Sequence, residues 1–266
     1  MKKSQTFAAT VLGASVLLLP VAAMAQTADD WNFEASINGY LPTLGGSTIF
    51  PAGSGGSSLN VDAQTIIDHL KMVFMGSFEA RKGLWGGYTD VLYMNLGGSK
   101  SGTSDLRPNG GGLVTANANL DLKATAWTLA GTYRAMASPQ ATLDVLAGVR
   151  YLDVTSTLGW SFIGNGPIGI APSGTSTVGN SLWDAVVGVK GKVFFGDEKR
   201  WFAPYYADIG TGGSDLTYQL MAGVGYAFKW GDIVGAWRYL DYNMKSGKAI
   251  ESLNLNGPMV SVAFRW

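Results

Sequence analysis

After residue 25 the chain has no apolar run long enough for a spanning helix. What it has instead is alternation. A membrane helix needs about 20 consecutive apolar residues, whereas the best later stretch, Leu220 to Phe228, has nine. From Leu216, one face reads Leu216, Tyr218, Leu220, Ala222, Val224, Tyr226, Phe228, Trp230. The other reads Thr217, Gln219, Met221, Gly223, Gly225, Ala227, Lys229. Residues 183–195 repeat the pattern, with Trp183, Ala185, Val187, Val189, Gly191, Val193 and Phe195 opposite Asp184, Val186, Gly188, Lys190, Lys192 and Phe194. Period two with one apolar face describes a strand whose two sides meet different environments.

The same pattern marks ten segments, at 31–41, 72–82, 84–95, 119–136, 141–157, 181–195, 201–211, 216–230, 233–244 and 253–266. Short connections at 82–83, 137–140, 196–200 and 231–232 alternate with long ones at 42–71, 96–118, 158–180 and 245–252; a further short turn falls at 211–215. Short turns at one end and longer loops at the other are the layout of a bacterial outer-membrane barrel. The expected fold is therefore all-β: a transmembrane antiparallel up-and-down β-barrel of about ten strands, with 8 or 12 as the neighbouring even counts. An even count puts both termini at the short-turn, periplasmic end. The long loops are then extracellular. In the first of them, Asn60 to Leu70 has a capping residue followed by apolar positions near helical spacing, which predicts a short helix.

Composition fits that solvent. Only 14% of residues are charged, 37 are glycine, none is cysteine and one is histidine. Such a chain has too many aromatics for disorder and no thiolate for a disulfide or zinc site. With 19 basic and 19 acidic residues it lacks the basic excess of a nucleic-acid binder. The apolar face carries Trp31, Phe33, Trp85, Tyr93, Trp127, Tyr133, Trp183, Phe195, Trp201, Tyr205, Tyr226, Phe228, Trp230, Trp237 and Tyr239 towards strand ends, around aliphatic middles. Lipid selects that arrangement, because amphipathic rings settle at the headgroups. A soluble sandwich would bury aromatics mid-strand instead.

The opposite face holds Glu34, Glu79, Arg81, Asp90, Arg134, Asp144, Arg150, Asp184, Lys190, Lys192, Asp208, Lys229, Arg238 and Arg265. An Arg or Lys facing lipid at the midplane costs about 2–4 kcal/mol, so these charges belong in the lumen. Six acids and eight bases can largely pair. Gly148, Gly188, Gly223 and Gly225 share that face and leave room for bulky neighbours. A ten-strand barrel is only slightly wider than the size that side chains fill, so a closed lumen is favoured over a narrow polar pore.

Lys2 and Lys3, an apolar stretch from Phe7 to Val21, and Ala23-Met24-Ala25 form the pattern of a secretory signal peptide cut after Ala25. Residues 26–266 are then the barrel, placed in the bacterial outer membrane. At the other end Val260, Val262, Phe264 and Trp266 alternate outward, and the chain stops on the aromatic. This resembles the C-terminal signature by which outer-membrane proteins are recognised by their assembly machinery. More broadly, residues 75–83, Tyr88-Thr89-Asp90-Val91-Leu92-Tyr93, Arg238-Tyr239-Leu240-Asp241-Tyr242 and Asn256-Gly257-Pro258 resemble small bacterial outer-membrane barrels of the opacity-protein and OmpA-like kind. The resemblance covers most of residues 31–266 and carries no catalytic motif. The ten-strand count departs from the eight-strand members.

Little points to chemistry. The one histidine, His69, follows Asp68 in the first long loop. Barrel hydrolases resemble one another in placing such residues at the outer rim, but adjacent residues point apart and cannot orient each other. Zincin, P-loop and calcium-loop spacings do not occur. The expectation is a non-enzymatic barrel without cofactor or metal, with outer-membrane lipid and the assembly machinery as partners and loops able to meet an extracellular ligand. A channel for ions or small polar solutes is the first alternative, and a rim hydrolase using His69 the second.

Overall fold

The computed structural model describes residues 30–48, 57–61, 70–105, 113–164, 173–248 and 250–266. The strands are β1 (Trp31–Tyr40), β2 (Thr43–Thr48), β3 (Ser57–Val61), β4 (Leu70–Lys82), β5 (Trp85–Asp105), β6 (Leu113–Ala137), β7 (Ala141–Gly164), β8 (Ser173–Phe195), β9 (Trp201–Gly212), β10 (Ser214–Ala227), β11 (Gly231–Met244) and β12 (Ile250–Arg265). β4 to β12 pair in sequence order, each antiparallel to the next. β1 joins β4 to β12 and closes the ring.

The ring has ten strands. β2 continues β1 past Leu41-Pro42, and both pair with β12: Glu34 to Tyr40 with Arg265 to Met259, and Thr43 to Thr48 with Asn256 to Ile250. Proline has no N–H for a ladder bond, so one long strand is interrupted there. The backbone at the break lies close under Gly257, where an added Cβ would stand 2.3 Å from the Leu41 carbonyl oxygen. Beyond the break β3, rather than β4, lies beside β2.

Both described ends lie together, with the Phe33 amide donating to the Trp266 carbonyl at 2.8 Å. The connections 83–84, 138–140, 196–200 and 228–230 are at that end. Outward side chains are apolar and exposed, as for Ile37 (65%), Val187 (57%) and Val260 (58%). At the terminus end they are aromatic and touch: Phe33 stacks on Trp31, Phe78 and Trp266, and Trp230 on Phe228; Trp85 meets Tyr133 and Trp201 meets Tyr226 edge to face, and Phe264 lies tilted against Trp230. A second girdle sits higher, where Trp183 meets Trp127 and Tyr151, and Tyr218 meets Tyr239.

The short helix expected over Asn60 to Leu70 falls mostly outside the described residues; of its ends, Asn60 and Val61 close β3 and Leu70 opens β4. Residues 62–69, including Asp68 and His69, lie outside the described residues, as do residues 1–29 with the expected signal peptide. The loops expected over 96–118 and 158–180 are mostly strand. β5 runs on to Asp105, β6 starts at Leu113, β7 ends at Gly164 and β8 starts at Ser173. Above the Trp127–Tyr151–Trp183 girdle the outward face turns polar, with Lys123, Asp121, Asp153, Thr155, Thr157, Thr177 and Ser181. In water neither face must be apolar, and backbone pairing alone continues the ladder. From Ala126 to Leu113, β6 rises on the order of 45 Å of strand at ~3.3 Å per residue.

Candidate functional site

The lumen is built in three storeys. The loop-side storey is apolar. Leu92, Met94 and Leu96 of β5, Ala124 and Ala126 of β6, Leu152 and Val154 of β7, and Leu182 of β8 form one wall. They join Leu44, Met75, Leu240, Tyr242, Met244, Ile250, Leu253, Leu255 and Met259 from the opposite side in one buried cluster. The Asn180 amide also spans the mouth, donating to the Ile250 carbonyl at 3.3 Å. Charge marks the inward face in the sequence, and these apolar residues carry no such mark.

The middle storey is a hydrogen-bonded belt. Arg238 grips Asp90 with both terminal nitrogens, at 2.6 and 3.2 Å, and Nη2 also reaches Gln219 Oε1 at 2.9 Å. The same Gln219 oxygen accepts from Arg150 at 3.4 Å. Arg150 pairs with Asp208 and donates from Nε to Thr128 at 3.0 Å, and the Tyr206 hydroxyl donates to Asp208. The belt therefore crosses the barrel from β5 to β9. Arg150 and Asp208 are 1% and 0% exposed at the side chain, which water-free burial permits only for a paired, hydrogen-bonded charge. Asp184 is satisfied differently from the ion pair that its place among the lumen charges suggests. It accepts from the amide and hydroxyl of Ser214, both at 2.8 Å.

The terminus-side storey is a cavity of about 780 Å³. One chain of charges runs Arg134–Asp144–Arg81–Glu79–Lys190, with Arg81 Nη2 at 2.6 Å from Asp144 and 2.5 Å from Glu79. A second runs Glu34–Lys192–Asp232–Arg265, at 3.1, 2.9 and 2.8 Å. Lys190 also lies over the Tyr88 ring and Lys192 over Phe202. Lys229 stands exposed past the end of β10 and lines the mouth. Space for these side chains comes from small neighbours: a Cβ on Gly225 would stand 2.4 Å from the Phe202 ring, and one on Gly188 2.6 Å from Asp208 Cβ.

Asp232 and Tyr206 also face the lumen, and Gln219 keeps the inward parity that alternation along 216–230 gives it. Asp232 sits in the Gly231-Asp232 turn, but counting by twos from Arg238 along β11 places it inward. Tyr206 shares parity with Asp208 on β9, which places it inward, but an uncharged ring does not mark that face. Val260, Phe264 and Trp266 face outward and exposed; Val262 shares their face, half-buried.

No protein-family model matches the chain, and no curated protein matches its sequence. Among solved structures it is similar to the outer membrane protease OmpT from Escherichia coli, at 12% identity over 90% of this chain and 96% of that one, TM-score 0.48. It is also similar to the translocator domain of the autotransporter NalP from Neisseria meningitidis, at 14% identity over 89% and 88%, TM-score 0.34. A third is Ail, the attachment invasion locus protein of Yersinia pestis, in complex with the heparin analogue sucrose octasulfate, at 12% over 89% and 99%, TM-score 0.33. Independently of these, the closed ladder, the apolar band and the two aromatic girdles make this chain an outer-membrane β-barrel.

Proposed function

We propose that the protein is a non-conducting outer-membrane barrel with a structural and surface-interaction role. It anchors in lipid through its girdles and presents the extension of β5–β8 to the exterior. In this reading the assembly machinery takes up the strand ending Val260, Val262, Phe264, Trp266, and an extracellular ligand meets the extension and its loops. The observation that carries it is the apolar cluster across the loop-side lumen. An ion crossing there would lose water without gaining polar partners, which in low dielectric is prohibitive. Below it the Arg238–Asp90 pair ties opposite walls together, and beside it Arg150–Asp208 links β7 to β9.

The reading includes no catalysis: the lumen acids and bases engage one another, and no nucleophile–base–orienter set was found among the described residues. Planar-bilayer recording separates it from a channel. Purified protein that inserts without conductance steps is the expected outcome. Reproducible unitary steps would replace this reading with that of a small-solute channel.

A further inference from the structure

We infer that the terminus-side cavity is a binding site, open to the periplasm and closed above, for a small organic anion with an apolar or aromatic part. This does not depend on the surface role. Four observations carry it. First, the chamber is a dead end: its floor is Met75, Met221, Met259 and the Arg238–Asp90 pair, and above that floor lies the buried apolar cluster. A blind chamber holds a solute rather than passing it.

Second, its opening lies at the strand ends, where Asn32, Lys229, Arg265 and Trp266 are all exposed. Third, the charge lining is unequal. Seven cations (Arg81, Arg134, Lys190, Lys192, Lys229, Arg238 and Arg265) face five acids (Glu34, Glu79, Asp90, Asp144 and Asp232). Each acid is already engaged by at least one of the cations, whereas Lys229 has no hydrogen-bond or ion-pair partner among the described residues. A low-dielectric wall focuses such an excess and raises the local concentration of anions. Fourth, the walls between the charges are aromatic, with Phe194, Phe202 and Tyr88. Aromatic walls set among convergent charges, in a volume of about 780 Å³, suit a small molecule that carries both a ring and a negative charge.

The test uses phenyl phosphate as a ring-bearing anion, with inorganic phosphate and benzylamine as its separated halves. Each is titrated by calorimetry into the full chain in uncharged detergent. Phenyl phosphate is expected to bind more tightly than phosphate, and benzylamine not at all. Lys229→Gln, outside the paired network, should weaken phenyl phosphate about fivefold, the size of a partly screened charge contact. Because the chain has no cysteine, Ser36→Cys places a unique thiol on the cavity wall. That thiol should react faster with an anionic than with a cationic methanethiosulfonate, and phenyl phosphate should slow its labelling. No binding at millimolar phenyl phosphate, equal binding of benzylamine, or Ser36→Cys labelling unaffected by the ligand would each overturn the inference. A silent bilayer supports the closed chamber, and reproducible conductance steps would overturn it.

Discussion

Arg150 and Asp208 show why the lumen holds charges that no lipid-facing position would tolerate. They form an ion pair in full burial, braced by Thr128, Tyr206 and Gln219. Breaking such a pair by removing one charge costs about 3–5 kcal/mol, because the other charge stays buried alone. Asp208→Asn is therefore expected to lower the urea midpoint of the barrel in detergent by an amount of that order. Arg150→Met combined with Asp208→Leu should recover part of the loss, since no charge is then buried alone while the Tyr206 hydroxyl and Thr128 lose their partners. A double variant no more stable than Asp208→Asn alone would contradict this account of the belt. Period two was enough to place Asp90, Arg150, Asp208 and Arg238 inward from sequence. Their partners were not legible, because pairing depends on which strands face across the barrel. Asp184 illustrates the gap: its parity is inward, yet a Ser214 amide and hydroxyl that only the β9–β10 turn brings near it satisfy its carboxylate.

At the scale of elements, the membrane-spanning lengths of the strands were readable because lipid forces one face to be apolar. The signal ends where lipid ends. Gly97-Gly98-Ser99-Lys100-Ser101-Gly102 reads as a loop, yet it pairs residue for residue with Asp121 to Ala116. Because the extension sits above the upper girdle and outside the ten-strand closure, the barrel should not need it. Replacing residues 97–121 and 157–177 by two-residue hairpin turns joins positions already opposite each other, Leu96 to Leu122 and Ser156 to Val178. The shortened chain is expected to assemble in the outer membrane with unchanged detergent behaviour and to lose surface contacts made by intact cells. Failure to assemble would show that the extension belongs to the barrel's own stability.

The whole molecule combines a lipid-facing exterior with a lumen that changes character along its axis. Neutral net composition hides this: most of the inward-facing charges lie in the belt and the cavity, while apolar side chains fill the loop-side lumen. Strand count and the shared end of the termini followed from alternation and turn length alone. The apolar closure did not, because inward Leu and Met residues on separate strands carry no mark of meeting until the ring is closed. The central claim, a closed membrane-spanning barrel, is tested most directly by gel mobility of the purified full chain in detergent with and without boiling. A ten-strand ladder without free edges should resist detergent until heated, so the unboiled sample is expected to migrate as a distinct compact species. Identical migration of boiled and unboiled samples, from a protein that stays soluble without detergent, would contradict it.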